Sequence, residues 1–160
     1  MNKKKVLVVY YSRTGTTRKV AESIKSLLDS DIDEIADKKK RAGALGYLMA
    51  GRDATLKSLT EIEFNTNTKE YDLVIIGTPI WAFTMSTPIR TYITQNKDNL
   101  KNIAFFCTQG GSGSDRAFKE MEELCEKQPV AILELKTKEV VKDEAKEKIK
   151  DFVDKINSNN

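Results

Sequence analysis

The chain has 160 residues, enough for one domain with a substantial core, and its 39% hydrophobic and 32% charged content is ordinary for a globular protein. The formal net charge is only +3 with both signs interspersed. That balance argues against a nucleic-acid binder, which concentrates a basic stripe with aromatics. Histidine is absent, which removes Ser-His-Asp and Cys-His nucleophilic machinery, histidine general bases and most catalytic zinc sites. Any redox or group-transfer chemistry therefore falls to a cofactor. The two cysteines, Cys107 and Cys125, have neither metal-ligand nor redox spacing and read as small buried hydrophobes.

The opening MNKKKVLVVYYS sets lysines before an apolar run. The run is too short for a secretory leader and no small-residue cleavage site follows, so it predicts a strand. No later segment reaches the roughly 18 apolar residues of a membrane-spanning helix, so a cytoplasmic location without membrane insertion is expected. Next, Val20, Ile24, Leu27 and Leu28 share one helical face. DIDEIA alternates and suits an edge strand. Residues 38–69 then break the pattern and form an inserted or elaborated segment, longer than an ordinary connection, with Leu45, Leu48 and Met49 grouped. A surface elaboration packing Tyr47 and the leucines on the sheet edge, a lid and a homodimer contact all remain open there. Its run Lys38-Lys39-Lys40-Arg41 reads as a solvated basic face.

YDLVIIGT and NIAFFCT are nearly continuous apolar runs, as in parallel strands covered on both faces, and VAILELKT is similar. Thr87-Pro88 reads as an N-cap with proline at the first helical position, opening a helix through Ile89, Tyr92 and Ile93. Two further helical faces are Ala117, Phe118, Met121, Leu124 and Ala145, Ile149, Phe152, Ile156. The alternation predicts an α/β fold over residues 1–160: a three-layer, doubly wound, five-stranded parallel sheet in the order 2-1-3-4-5. Its ligand crevice should lie outside the carboxyl ends of the strands.

Three central strands end in unusual stretches that this order brings side by side. The first is SRTGTT: Gly15 permits a sharp turn into a helix start, whose free amides attract an anion, and Ser12, Thr14, Thr16 and Thr17 can surround phosphate oxygens. It lacks the P-loop lysine, which disfavours nucleoside-triphosphate hydrolysis. Alone, the stretch fits a Ser/Thr-rich helix cap equally well. The second is GTPIWAFTMSTP, where Trp81, the single tryptophan, offers a flat surface for a planar ligand or a plug for the core. The third is TQGGSGSD, whose bare backbone at Gly110, Gly111, Ser112 and Gly113 can approach a ligand, or simply turn before a helix capped by Ser114 or Asp115. Together they describe a site for a planar, phosphate-tailed cofactor. Two decoys fail: GYLMAGRD has Arg52 and Asp53 where a P-loop needs Lys and Ser/Thr, and GSGSDR lacks its last glycine.

On these motifs the chain resembles the flavodoxin-like family of FMN proteins over nearly its whole length. YSRTGTT is similar to the family's hydroxyl-rich phosphate loop, GTPIWAF to its first flavin-flanking loop and TQGGSG to its second. The resemblance implies one noncovalent FMN. Ser12, Arg13, Thr14, Gly15, Thr16 and Thr17 would lie at its phosphate, with Thr78, Pro79, Ile80, Trp81 and Ala82 on one side of the ring and Thr108, Gly110, Gly111, Ser112 and Gly113 on the other. Electron-carrier members usually place a glycine after the aromatic, allowing a peptide flip that stabilises the one-electron-reduced ring. Ala82 stands there instead, and TQGGSG has no stacking aromatic. These departures, with the slightly basic charge, resemble the NAD(P)H- or quinone-dependent reductase branch. The expectation is an FMN-dependent oxidoreductase passing electrons from NAD(P)H or another reduced donor to a quinone-like acceptor. The alternative is a one-electron carrier serving protein partners. No side chain stands out as a catalytic acid or base, and Arg13, Arg18 and Arg116 read as surface groups rather than catalytic ones. A flavin-free phospho-receiver is disfavoured, because Tyr10, Tyr11 and Ser12 stand where it needs acidic residues.

Overall fold

The computed structural model describes residues 3–159. The strongest apolar runs form the central strands β1 (Val6–Tyr10), with α1 (Thr16–Leu28) and the edge strand β2 (Asp31–Glu34) following it. Then come β3 (Ala36–Asp37), α2 (Gly43–Thr55), β4 (Ile62–Glu63), β5 (Leu73–Trp81), β6 (Thr84–Met85) and α3 (Thr87–Asn96). The chain ends with β7 (Asn102–Gln109), α4 (Ser114–Cys125), β8 (Ile132–Lys136), α5 (Thr137–Val141) and α6 (Lys146–Ser158).

The main sheet runs β2-β1-β5-β7-β8, with every neighbouring pair along that path parallel. This is the expected 2-1-3-4-5 order. Period-two alternation divides the sheet's side chains between two cores. Leu7, Val9, Val74, Ile76 and Phe105 face Ile89 and Tyr92 of α3 and Phe118 and Met121 of α4. Val8, Ile75, Ala104 and Phe106 face Val20 and Ile24 of α1 and Ile149, Phe152 and Ile156 of α6. Helices thus cover both faces, and all five strands present their carboxyl ends at one edge. Cys107 and Cys125 are free and buried, and burial pushes each thiol up to about 12. Among the described residues no helix is long and apolar enough to cross a membrane.

Four details differ from the sequence reading. Leu27 is 53% exposed, because α1 buries Val20, Ala21 and Ile24 and its last turn rotates away. The N-cap of α3 is Ser86, with Thr87 already helical; the Ser86 amide donates to Thr78 Oγ1 at 2.9 Å. Helix α4 is capped by Gly113 backbone rather than by Ser114 or Asp115, since Ser114 Oγ donates to the Glu134 carboxylate. Finally, Arg41 is not part of a solvated basic face; its side chain is 1% exposed.

Residues 38–69, together with β3 just before them, form a second small unit packed on the first core. Strands β3 and β4 pair antiparallel. Helix α2 buries its small residues Gly46, Ala50 and Ala54, and turns Leu45, Tyr47 and Leu48 outward. The leucines therefore do not pack on the sheet edge. The segment returns to the sheet at Asp33, whose carboxylate accepts from the amides of Asn65 (2.8 Å) and Thr66 (2.9 Å).

Candidate functional site

At the carboxyl edge the turn after β1 is shaped first by its own atoms. Gly15 adopts φ 100°, a conformation that side chains disfavour, and its amide donates to Ser12 Oγ at 3.0 Å. The Ser12 hydroxyl thus shapes the turn as an acceptor and keeps its own O–H to donate. Helix α1 begins immediately afterwards with no side-chain cap and no acidic residue in its first turn. Its leading amides and positive dipole end are left to attract an anion. Thr14 is exposed, Thr16 half-buried, and Thr17 buried with its hydroxyl 2.8 Å from that of Thr108. Thr17 therefore ties the first turn to β7 rather than standing free.

An open cleft of about 260 Å³ lies between these exits. Arg13, Thr14, Thr16 and Thr17 line one end, Pro79, Ile80 and Trp81 one wall, and Thr108, Gln109 and Gly110 the other. Tyr47 from α2 and Thr137 from α5 complete it. Its lining contains no carboxylate, so nothing in it repels an anion. Gln109 is 3% exposed, and its side-chain oxygen Oε1 has no hydrogen-bond partner. A buried acceptor left unpaired costs about 1–3 kcal/mol, and a ligand N–H or O–H would recover it.

The wall carrying Trp81 is not the loop expected. Strand β5 continues to Trp81 and folds back through β6 in a tight hairpin, Trp81 pairing with Thr84. The two turn residues, Ala82 (φ 49°) and Phe83 (φ 65°), both have positive φ, the signature of a type I′ turn without its usual Asn or Gly. Trp81 is 7% exposed. Tyr11 meets it edge-on at 5.5 Å and 88°, and the Arg41 guanidinium lies 5.2 Å from its ring centre. The indole is at once a core residue and a cleft wall. Burial pushes the Tyr11 phenol up to about 12, so it stays neutral.

Long-range contacts hold the hairpin. Thr78 is fully buried and braces it through the Ser86 amide, rather than facing the cleft. Thr84 Oγ1 donates to Glu120 at 2.5 Å, and Arg90 and Arg116 pair with the same carboxylate at 3.1 and 2.9 Å. Burial alone would raise Glu120; the hydrogen bonds from Thr84, Arg116 and Arg90 outweigh it and hold the group near about 2. Gly113, at φ 117°, lets the glycine loop touch the hairpin: a Cβ there would lie 2.6 Å from Phe83 Cα. Gly111 accepts from Lys136 Nζ through its carbonyl.

The sequence profile described as "Flavodoxin" matches residues 5–156. The chain belongs to the flavodoxin family. Among solved structures it is similar to a flavoprotein from Lactobacillus acidophilus in complex with FMN, at 29% identity and a TM-score of 0.70, covering 88% of this chain and 98% of that one. It also resembles oxidised flavodoxin 2 of Bacillus cereus (16% identity, TM-score 0.60, 98% and 99% covered). A third is general stress protein 14 of Treponema denticola in complex with FMN (13%, 0.54, 96% and 98%). The last two likenesses concern the fold alone. A comparison with curated proteins gave no match.

In this flavodoxin-family chain, nine of the sixteen residues expected at the site line the cleft: Arg13, Thr14, Thr16, Thr17, Pro79, Ile80, Trp81, Thr108 and Gly110. Ser12 and Gly15 shape the first turn, Thr78 lies beneath the hairpin, and Gly111, Ser112 and Gly113 continue the glycine loop beside it. Ala82 faces an adjoining apolar cleft of about 190 Å³ beside Tyr47, Leu48 and Trp81. Arg13 stacks over Tyr47 at 5.5 Å, while Arg18 pairs with Glu34 and Arg116 with Glu120 on the surface. Sequence reasoning missed Gln109, Tyr47 and Thr137. Gln109 could have been found, since it sits inside TQGGSG; nothing in the sequence joins Tyr47 or Thr137 to the motifs.

Proposed function

We propose that this chain binds one FMN and passes electrons from NAD(P)H or another reduced donor to a quinone-like acceptor. The observation that carries it is the shared cleft, lined both by residues at the uncapped start of α1 and by Gln109, whose buried side-chain oxygen has no partner. The residues fit the cofactor. A phosphate would be held by the α1 amides with the hydroxyls of Thr14 and Thr16, with Arg13 as the cation among the cleft residues. Gln109 Oε1 would accept from an N–H or O–H of the ring edge or the polyol chain. Trp81 and Ile80 would wall the ring, and Gly110 would let it approach the backbone of β7.

When bound, FMN supplies the redox chemistry itself, exchanging two electrons and a proton with donor and acceptor. The protein's work is to bind, orient and exclude water. Of the cleft residues only Arg13 and Tyr47 are ionisable, so no side chain is assigned as a general acid or base. The glycine exit contributes no aromatic, leaving that side of the cleft accessible to a planar partner. The carrier reading has one observation of its own. Leu45, Tyr47, Leu48 and Phe83 are all more than half exposed near the cleft, an apolar rim suited to a protein partner.

Titrating the cofactor-free chain with FMN, followed by flavin fluorescence, tests the binding. Saturable one-to-one quenching is expected. Thr14→Asp with Thr16→Asp should weaken it about a hundredfold or more, because two carboxylates would face the phosphate. Unchanged affinity in that variant would refute the placement. Rapid NAD(P)H oxidation with a benzoquinone, and little one-electron-reduced flavin on titration, supports the enzyme; inertness to NAD(P)H with a fully populated one-electron form supports the carrier.

A further inference from the structure

We propose that Arg41 is the positioning residue for Trp81, so that the 38–69 segment is part of the cofactor site rather than an ornament on it. Arg41 lies two residues before α2, and its side chain is 1% exposed. Nε donates to Asp37 on β3, and Nη1 donates to Asp53 on α2 at 2.9 Å. Lys39 Nζ also reaches Asp53 at 2.8 Å, and Thr60 Oγ1 donates to Asp37 at 2.8 Å. The guanidinium is therefore fixed in a fork between two carboxylates, a geometry a flexible ammonium does not reproduce. Burial would depress its pKa, but the bonds to Asp37 and Asp53 raise it, and the charge is permanent.

That fixed cation lies over the indole, 5.2 Å from ring centre to Cζ. Nη2 is buried without a hydrogen-bond partner, so the electron-rich face of Trp81 is the compensation the site offers it. Tyr11 abuts the same ring in a T-shaped contact, 5.5 Å between ring centres. Trp81 is thus held by an aromatic ring just beyond β1 and by a cation from the segment, while it also lines the cleft. The backbone is built for this approach. A Cβ at Gly46 would lie 2.2 Å from the Arg41 carbonyl carbon, so the first turn of α2 closes over Arg41 only because residue 46 is glycine. Two carboxylates and a covered ring converge on the Arg41 side chain, and a bare glycine on its backbone.

Because Trp81 is the single tryptophan, its near-ultraviolet circular dichroism and emission report its environment in the cofactor-free chain. Arg41→Met keeps the length and removes the charge; the indole signal should collapse and its emission shift to the red. Asp33→Asn loosens the segment where Asn65 and Thr66 return to the sheet but leaves Arg41 with both its carboxylates, so the signal should stay. If Arg41 merely stabilised the segment, the two variants would move the signal together. Equal changes, or none in Arg41→Met, overturn the proposal. Should Arg41→Met fail to fold, the triple variant Asp37→Asn, Arg41→Met, Asp53→Asn removes the orphaned carboxylates and must still lose the signal. With FMN, Arg41→Met should bind about tenfold more weakly and Asp33→Asn within about twofold. That second readout rests on the functional reading above, whereas the indole signal does not: failure to bind FMN at all would refute the function alone.

Discussion

The two ends of the cleft are held by different kinds of force. The turn at Ser12–Thr17 is set by neutral contacts, chiefly a glycine at positive φ and a hydroxyl three residues away, plus one bond from Thr17 to Thr108. The wall at Trp81 is set by charges brought from far along the chain: Arg41 with Asp37 and Asp53 on one side, and Arg90 and Arg116 with Glu120 on the other. The first arrangement can be read residue by residue. The second exists only after the chain has folded, and breaking one partner leaves a buried charge uncompensated.

Two glycines expose the contrast most strongly. At Gly46 the obstacle is steric, since an added Cβ would meet the backbone of Arg41 at 2.2–2.8 Å. Gly46→Ala should therefore push α2 off Arg41 and cost about 3 kcal/mol, read as a lowered urea midpoint with a changed indole signal. At Gly15 the obstacle is conformational: a Cβ there meets nothing within 4 Å, but φ is 100°. Gly15→Ala should cost only about 1–2 kcal/mol and leave the indole signal unaltered. If the two variants proved equally costly, the long-range scaffold at Trp81 would be no more constraining than a turn.

The same contrast explains what the sequence disclosed. The sheet order followed from apolar runs such as VLVVY and LVIIG, because strands buried on both faces must be apolar at every position. The first turn and the glycine exit were legible for a similar reason: their chemistry lies within a few consecutive residues. Arg41 was misjudged because it sits in a lysine run, and only the fold places Asp37 and Asp53 around it. Trp81 was read as an open loop because β6, a two-residue strand, carries too little pattern to announce a hairpin. Tyr47 reached the cleft on a helix whose buried face is made of Gly46, Ala50, Asp53 and Ala54, which has no apolar stripe to read.

Acid provides a test confined to the charged wall. The Glu120 carboxyl is held near about 2, below its ordinary value of 4.5. A depressed carboxylate stabilises the fold above its unfolded pKa and loses that contribution as pH falls through the folded value. Stability should therefore drop by about 2 kcal/mol between about pH 5 and about pH 2, and Glu120→Gln should abolish that part of the slope. The measurement is a series of urea midpoints for both proteins across that range. An unchanged slope would show that the hairpin does not depend on the carboxylate, and that Thr84 and Met85 are held by packing instead.

The smallest effect is expected at Ala82, and it bears most directly on what the wall is for. Ala82 occupies the left-handed region at φ 49°, costing about 1–2 kcal/mol of backbone strain that glycine would not feel. Glycine also gives the unfolded chain more freedom, worth about 0.4–1 kcal/mol in the opposite sense. Ala82→Gly should accordingly change stability by no more than about 1 kcal/mol, in the stabilising direction. Its consequence for the backbone is larger than its energy. With alanine, leaving the left-handed well for the other positive-φ conformations a turn can use meets the Cβ; with glycine, the Ala82–Phe83 peptide becomes free to reorient. If the hairpin sets the electron count of the bound cofactor, Ala82→Gly should raise the amount of one-electron-reduced flavin seen during titration while leaving FMN affinity within about twofold. If that amount stays the same, the turn is merely a hairpin whose strain is tolerated, and the choice between a two-electron enzyme and a one-electron carrier must lie in the cleft itself, at Gln109 and the glycine exit.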